Sequence, residues 1–203
     1  MRHALSIPLA FAALAALLTV AFAQQSPPAK QTKSPPAKSE TKQTKQAAPP
    51  PAPGGGQPAL LGQFGEWGAY TATAAGKKIC YALAKPSSSA TEPANRPRDP
   101  AYTFISTRPT ENVRNEISIV VGYPFKPGSE ATVDIGSNKY AMYTQADGAW
   151  IKNAAEESRM VDTMRRGADM IVMGESGRGT KSTDRYALKG LAQALDRVAQ
   201  ECK

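Results

Sequence analysis

Residues 188–202 read LKGLAQALDRVAQEC, and their pattern constrains how the rest of the chain can pack. Its apolar side chains recur every three or four positions, which is the spacing of one face of an α-helix. They are Leu188, Leu191, Ala192, Leu195, Val198, Ala199 and Cys202. The opposite face is polar and consists of Gln193, Asp196, Arg197, Gln200 and Glu201. The pattern predicts an amphipathic C-terminal helix that buries its apolar face against the preceding chain.

The N-terminus predicts export. A short positive head is followed by an Ala/Leu-rich run, broken by Pro8, and by the small-x-small cleavage signal Ala21-Phe22-Ala23. We interpret residues 1–23 as a secretory signal peptide that is cleaved after Ala23. A transmembrane anchor is the competing interpretation, but the apolar run after Pro8 is short for a membrane span. The mature chain is expected in the periplasm or at the cell surface, without a transmembrane segment.

The predicted export bears on the chemical state of the two cysteines of the sequence, Cys80 and Cys202. An even number of cysteines in an oxidising compartment favours a disulfide bond, whereas two cysteines alone make a poor metal site. A Cys80–Cys202 bond would tie the C-terminal helix to an early strand. In the chain-entropy model it would restrict the unfolded chain by about 4 to 5 kcal/mol. Two free, buried thiols are the alternative.

The only histidine is His3, which the predicted cleavage removes. A mature chain without histidine excludes Ser-His-Asp and Cys-His catalysis and histidine-ligated zinc. We therefore predict no metal, no cofactor and no enzymatic activity. An enzyme using carboxylates is the remaining alternative, and Asp134, Asp147, Glu175 and Asp184 are its scattered candidates.

Residues 24–58 form a separate region that is rich in proline and lysine and contains Ser-Pro-Pro-Ala-Lys at 26–30 and again at 34–38. It has too few apolar side chains to bury a core, so we expect a disordered or polyproline-like arm. Five lysines and one glutamate give it a net charge of +4, compared with +8 for the whole chain. This charge favours an anionic envelope polymer or membrane surface as a partner, and not nucleic acid, which is the wrong partner for that compartment. A soluble spacer is the alternative function.

The remaining residues, 59–203, are sufficient for one domain with one core. Strand patterns occur at 64–71, 78–83, 102–107, 116–122, 131–135, 139–144, 170–173 and 183–188. Gly136-Ser137-Asn138 predicts a hairpin turn, and residues 86–100 predict a surface loop. Asn153 and Glu156 predict the start of an internal helix that ends at Gly167, with Val161 and Met164 inward and Glu157 outward. The fold class is mainly β, a sandwich or barrel with this helix and the C-terminal one.

The stretch GESGRGTKS at 174–182 resembles two catalytic motifs without matching either of them. A P-loop needs lysine directly after its second glycine, and here Thr180 intervenes. A nucleophile elbow around Ser176 would lack its final glycine and a histidine partner. Arg178, Gly179 and Thr180 form either a binding loop or a tight turn. We favour the turn, with Gly177 and Gly179 in conformations that other residues avoid and with Thr180 and Asp184 bonding to the loop amides.

An ordered set of short motifs resembles the invasion-associated locus B family over essentially the whole domain. The set comprises Ile79-Cys80-Tyr81, Phe104-Ile105, Arg108-Pro109, Asn115-Glu116-Ile117-Ser118, Gly122-Tyr123-Pro124-Phe125, Ala149-Trp150, Met164, Gly167, Arg178-Gly179-Thr180, Asp184, Tyr186, Leu188, Gly190, Ala194 and Cys202. The resemblance implies an exported alphaproteobacterial protein with an immunoglobulin-like β-sandwich and no known catalytic residues. It also implies a relationship to a founding member that assists entry into host red cells.

Two functional hypotheses follow. The first is a non-enzymatic envelope or surface protein that binds an envelope or host-surface protein, or an anionic envelope polymer through the basic arm, and so aids host-cell interaction or envelope integrity. The second is a small cell-wall hydrolase that uses carboxylates. Trp67 and Trp150 are either exposed anchors for a partner or core residues, and the core is the favoured position for large aromatic side chains.

Overall fold

A computed structural model describes residues 57–203. The predicted signal peptide (1–23) and residues 24–56 of the predicted arm lie outside this range. The strands are β1 (Ala59–Phe64), β2 (Trp67–Ala74), β3 (Lys77–Ala84), β4 (Ser88–Glu92), β5 (Tyr102–Arg108), β6 (Val113–Val120), β7 (Glu130–Ile135), β8 (Asn138–Gln145), β9 (Gly148–Trp150), β10 (Asp169–Glu175) and β11 (Lys181–Ala187). The helices are α1 (Ala154–Arg166) and α2 (Leu191–Glu201), with a 3-10 turn at Pro109–Glu111.

The described strands join one antiparallel sheet in the order β1-β2-β3-β5-β6-β9-β8-β7-β10-β11-β4. Trp67 of β2 and Tyr186 of β11 are far apart in this order, yet they belong to one buried cluster. The indole N–H of Trp67 also donates to the carbonyl oxygen of Ala187 at 2.8 Å. The sheet therefore curves back on itself and encloses one core. The mainly β class with two helices is confirmed, and the immunoglobulin-like topology stays a prediction.

Helix α2 contacts β1, β2 and β3 and buries one face. Its buried side chains are Leu191, Ala194, Leu195 and Val198. The predicted amphipathic helix is confirmed, but it begins at Leu191 because Gly190 has a left-handed conformation, with φ of 96°. A Cβ atom at position 190 would clash with the backbone of Phe64, so only glycine fits there. Leu188 is buried ahead of the helix, and Ala199 is exposed, contrary to the prediction.

The disulfide bond predicted from the sequence is present. Cys80 of β3 is bonded to Cys202, which directly follows α2, and their Cα atoms lie 5.9 Å apart. Both residues are buried. Nearby, the Lys78 ammonium donates to the carbonyl oxygen of Glu201 at 2.8 Å and to its carboxylate at 2.7 Å. The last turn of α2 is thus fixed to β3 by a covalent bond and by hydrogen bonds.

Two sequence predictions, one of a strand and one of a loop, need correction. Residues 64–71 do not form one strand, because the chain turns at Gly65, with φ of 60°, and forms the β1–β2 hairpin. The predicted loop 86–100 contains β4, a short polar strand that pairs with β11 at the sheet edge. The three-residue strand β9 has no sequence prediction. The hairpin at Gly136-Ser137-Asn138 is confirmed, since β7 pairs with β8.

Helix α1 begins as predicted, since the Asn153 side chain accepts the Glu156 N–H at 2.8 Å. Met160, Val161 and Met164 are buried. Glu157, however, does not point outward. Its carboxylate is half-buried and accepts the Ile117 N–H at 2.7 Å, and this burial raises its pKa. Within residues 57–203, neither helix is long and apolar enough to cross a membrane.

The first prediction tests the docking of α2. Leu195→Ala replaces a fully buried isobutyl group with a methyl group and should lower the free energy of unfolding by about 2 to 5 kcal/mol. Gln193→Ala, on the exposed face of the same helix, should change it by less than about 0.5 kcal/mol. Urea midpoints of the oxidised proteins measure both effects. Equal midpoints for the two variants would show that the helix is not docked.

The second prediction concerns the disulfide bond. The cysteines are separated by 122 positions, so their bond restricts a long segment of the unfolded chain. Replacing both, Cys80→Ala with Cys202→Ala, should cost about 4 to 5 kcal/mol in the chain-entropy model. Reduction of the parent protein should lower its free energy of unfolding by a similar amount, which urea unfolding measures. A double variant as stable as the oxidised parent would contradict this expectation.

Candidate binding surface

The hairpin loop between β10 and β11 is a tight turn built around Ser176. Its Oγ accepts the N–H groups of Arg178 at 3.3 Å and Thr180 at 3.1 Å, and its carbonyl oxygen accepts the Gly179 N–H at 2.8 Å. Gly179 has φ of 78°, whereas Gly177 does not have the positive φ that was expected. The side chain of Ser176, and not that of Thr180 or Asp184, bonds to the loop amides. The turn is thus present, and binding by its exposed Arg178 stays a prediction.

Asp184 lies on β11, away from this turn, and is 1 % exposed. It forms a bidentate ion pair with Arg98, in which Arg98 Nη1 lies 2.8 Å from Asp184 Oδ2 and Arg98 Nη2 bonds to Asp184 Oδ1. The Ser89 hydroxyl also donates to Asp184 at 2.6 Å, and Arg98 Nη1 donates to the Val121 carbonyl at 3.0 Å. The hydrogen bond to Asp184 raises the pKa of Arg98. This pair fixes residues 86–100 to the sheet, so its role is structural.

A second polar contact lies beside this pair. The Tyr123 hydroxyl and Ser182 Oγ are 2.6 Å apart, and the Arg98 guanidinium lies 6.0 Å from the centre of the Tyr123 ring. Burial raises the pKa of Tyr123. Several motif residues of the family resemblance, including Tyr123, Asp184 and Tyr186, are therefore explained by packing and hydrogen bonding inside the fold.

Six aromatic side chains lie on the outer face of the sheet, which points away from the main core. In β3, Cys80 and Ala82 face the core, whereas Tyr81 and Leu83 face outward. The strand registers place the outward residues in neighbouring rows. We name this surface the aromatic face, and it consists of Leu60, Tyr70, Tyr81, Leu83, Tyr102, Phe104, Tyr143 and Trp150.

The rings of the aromatic face contact one another. Tyr81 packs between Tyr70 and Phe104, with ring centres 5.5 Å and 5.9 Å away. Tyr143 stacks on Trp150 at 5.7 Å. Such contacts stabilise aromatic pairs by about 0.5 to 1.5 kcal/mol beyond the area that they bury. The face is therefore an ordered surface, with its side chains held in place by their neighbours.

Exposure differs across the aromatic face. Leu60 is 56 % and Tyr143 is 38 % exposed, and these two large apolar residues lie at opposite ends of the face. Tyr81, near the centre, is only 3 % exposed. Burial, with a smaller contribution from Tyr70, raises the pKa of Tyr81 to about 12. Among the described residues, the Tyr81 hydroxyl has no hydrogen-bond partner.

The two tryptophans have different positions. Trp67 is fully buried in the core, as favoured from the sequence, whereas Trp150 is half-buried on the aromatic face. The aromatic face was not predicted from the sequence. The signal was the continuous apolar run at 79–84, which is typical of a strand buried on both faces.

The carboxylates proposed for the hydrolase alternative are mostly paired with cations. Asp134 bonds to Lys139 at 2.6 Å, Glu175 bonds to Lys126 at 3.1 Å, and Asp184 bonds to Arg98. Asp134 also lines an open cleft of about 680 Å³ between the β7–β8 turn, α1, β10 and β11. The other carboxylate in this cleft, Asp169, pairs with Arg185 at 2.8 Å. Residues 57–203 contain no group of three or more metal-ligating side chains.

The fold and its surface define a disulfide-bonded, mainly β domain with an aromatic outer face. The family model described as "Invasion associated locus B (IalB) protein" matches residues 67–199. The chain belongs to this family. Neither the comparison with curated proteins nor the comparison with solved structures gives a match.

The third prediction tests the buried ion pair. Asp184→Asn leaves the Arg98 guanidinium, which is 12 % exposed, without its counter-charge. We expect a loss of about 3 to 5 kcal/mol in the free energy of unfolding. Asp169→Asn is the matched control, because the Asp169–Arg185 pair is about half exposed and its loss should cost less than about 1 kcal/mol. Similar urea midpoints for the two variants would contradict the structural role of Asp184.

Proposed function

We propose that this protein is a non-enzymatic binding protein of the cell envelope or cell surface, and that its aromatic face is the binding surface. Membership of the invasion-associated locus B family supports the surface association. The exposed apolar residues at both ends of the aromatic face carry the proposal of binding. Contiguous apolar patches are typical of interaction sites on proteins, and half-buried aromatic side chains connect the two exposed ends of this face.

The chemistry of the aromatic face suits a protein partner. Tyrosine and tryptophan are enriched in interfaces because each combines a large apolar area with a polar group, and they dominate binding energy when buried. The face carries Tyr70, Tyr102, Tyr143 and Trp150 in half-buried or exposed positions. Charged side chains lie at its margin, for example Lys85, whose ammonium is 5.5 Å from the centre of the Tyr102 ring. An envelope or host-surface protein is the proposed partner.

The remaining parts of the proposal come from the sequence. A cleaved signal peptide would deliver the domain to the periplasm or cell surface. The lysines of residues 24–58 would add weak attraction to an anionic envelope polymer. The family name is the support for a role in entry into host cells.

Capture experiments with the chain from Gln24 onward test the binding surface. The parent protein and the variants Leu60→Glu and Tyr143→Glu would be used as baits in envelope extract and in host-cell membrane extract. Both substitutions replace exposed side chains, so the fold should persist. A specifically captured protein should bind each variant at least about tenfold more weakly, which corresponds to about 1.4 kcal/mol.

Arg178→Glu tests the competing site, because it changes an exposed residue in the β10–β11 hairpin loop on another part of the domain. This variant should capture the partner as well as the parent does. Loss of capture by Arg178→Glu alone would place the binding site in the hairpin loop. Equal capture by all variants would contradict binding through the aromatic face.

A further inference from the structure

The open cleft beside the β7–β8 turn is polar, in contrast to the aromatic face. Its volume of about 680 Å³ lies in the range of ligand-binding clefts. Hydrogen-bonding side chains form most of its wall, including Ser137 and Asn138 at the turn and Arg166 at the end of α1. None of the residues that line it belongs to the aromatic face. The cleft is therefore separate from the proposed protein-binding surface.

The carboxylates of the cleft are already neutralised by cations. Asp134 pairs with Lys139 at 2.6 Å, and Asp169 pairs with Arg185 at 2.8 Å. Arg166 is exposed and, within residues 57–203, takes part in no ion pair. The charge left over in the cleft is thus positive, and it attracts an anionic group.

The β7–β8 turn adds hydrogen-bond donors to the same cleft. Gly136 and Ser137 connect the paired residues Ile135 and Asn138, and Gly136 has a left-handed conformation, with φ of 59°. In the described part of the chain, the N–H groups of Gly136 and Ser137 donate no backbone hydrogen bond. Free N–H groups of a turn bind anions, and a guanidinium forms two parallel hydrogen bonds with a carboxylate or phosphate. An oxyanion is therefore the group that this part of the cleft can hold.

The cleft is larger than one oxyanion, and it also carries hydrogen-bond acceptors. Asp134 and Asp169 can accept hydrogen bonds from hydroxyl groups while they remain paired, because an ionised carboxylate has several lone-pair sites. A ligand with one anionic group and several hydroxyl groups matches these donors and acceptors. We propose that the cleft binds an acidic saccharide, whose carboxylate or phosphate lies on Arg166 and whose hydroxyls bond to the two aspartates.

A saccharide site adds a second ligand to the proposed protein-binding function. An anionic envelope polymer that contains acidic sugars would contact the folded domain here, in addition to the lysines of residues 24–58. The contact does not involve the aromatic face, so the domain can hold such a polymer and a protein partner at the same time.

A titration followed through the backbone amide signals in NMR tests this site on the chain from Gln24 onward. The probes are glucuronate, which carries a carboxylate, glucose 6-phosphate, which carries a phosphate, and glucose, which is uncharged. The test variant is Arg166→Gln. Arg159→Gln is the matched control, because Arg159 is also an exposed residue of α1 but does not line the cleft. Both substitutions replace exposed side chains, so the fold should persist.

We expect at least one of the two acids to shift the amide signals of Gly136 and Ser137, with a Kd in the millimolar range because the cleft is open to solvent. The acid that binds more tightly identifies the anionic group. Arg166→Gln should weaken this binding at least about tenfold, since it removes a charged hydrogen-bond donor. Arg159→Gln should bind as the parent does.

The absence of a saturable shift with either acid would overturn the proposal, as would glucose binding as tightly as the acids. Unchanged binding by Arg166→Gln, or an equal loss in Arg159→Gln, would also overturn it, and the latter would indicate a general attraction to positive charge. Leu60→Glu, on the aromatic face, should bind the acids as the parent does. Failure of saccharide binding and failure of partner capture are therefore distinguishable.

Discussion

Helix α2 is attached to the inner face of β3 by the Cys80–Cys202 bond and by its buried apolar side chains. Strand β3 is apolar on both faces, so each face requires a cover. Within residues 57–203, the helix and the core cover the inner face, and the aromatic side chains of the sheet itself cover the outer face. The position of the helix thus determines which side chains remain available on the surface. The aromatic face exists because the helix packs on one side of the sheet and not on the other.

Helices and hairpins were predicted correctly where neighbouring residues in the sequence form a cap, a turn or a regular apolar pattern. Helix α1 was predicted from the Asn153 cap and helix α2 from its apolar periodicity. The β7–β8 hairpin was predicted from its Gly136-Ser137-Asn138 turn. The strand β4 was missed because it is short and polar, and its pairing with a distant strand stabilises it. Gly65 was missed as a turn because apolar residues continue on both sides of it.

The surface was harder to predict than the core. Successive side chains of β3 and β5 point to opposite faces of the sheet, but the sequence does not show which of the two faces a helix covers. Cys80 and Tyr81 are adjacent in sequence and are both buried, yet they face opposite sides of the sheet. The ion pair of Asp184 could not be predicted from neighbouring residues, because its partner Arg98 lies 86 positions away in the sequence. The two side chains meet only in the folded chain. The hydrogen bond from the Ile117 N–H to the Glu157 carboxylate was missed for the same reason, since it links a helix to a strand 40 positions earlier.

The contacts that α2 makes have a kinetic consequence. Its partners β1, β2 and β3 are the earliest strands of the described domain, and Cys80 and Cys202 are 122 positions apart. Loops of this length must close before the core forms, and proteins dominated by such distant contacts fold in milliseconds to seconds, more slowly than helical bundles. During that interval the apolar inner face of β3 has no cover. The domain therefore depends on conditions that keep newly made chains apart until the last helix has packed.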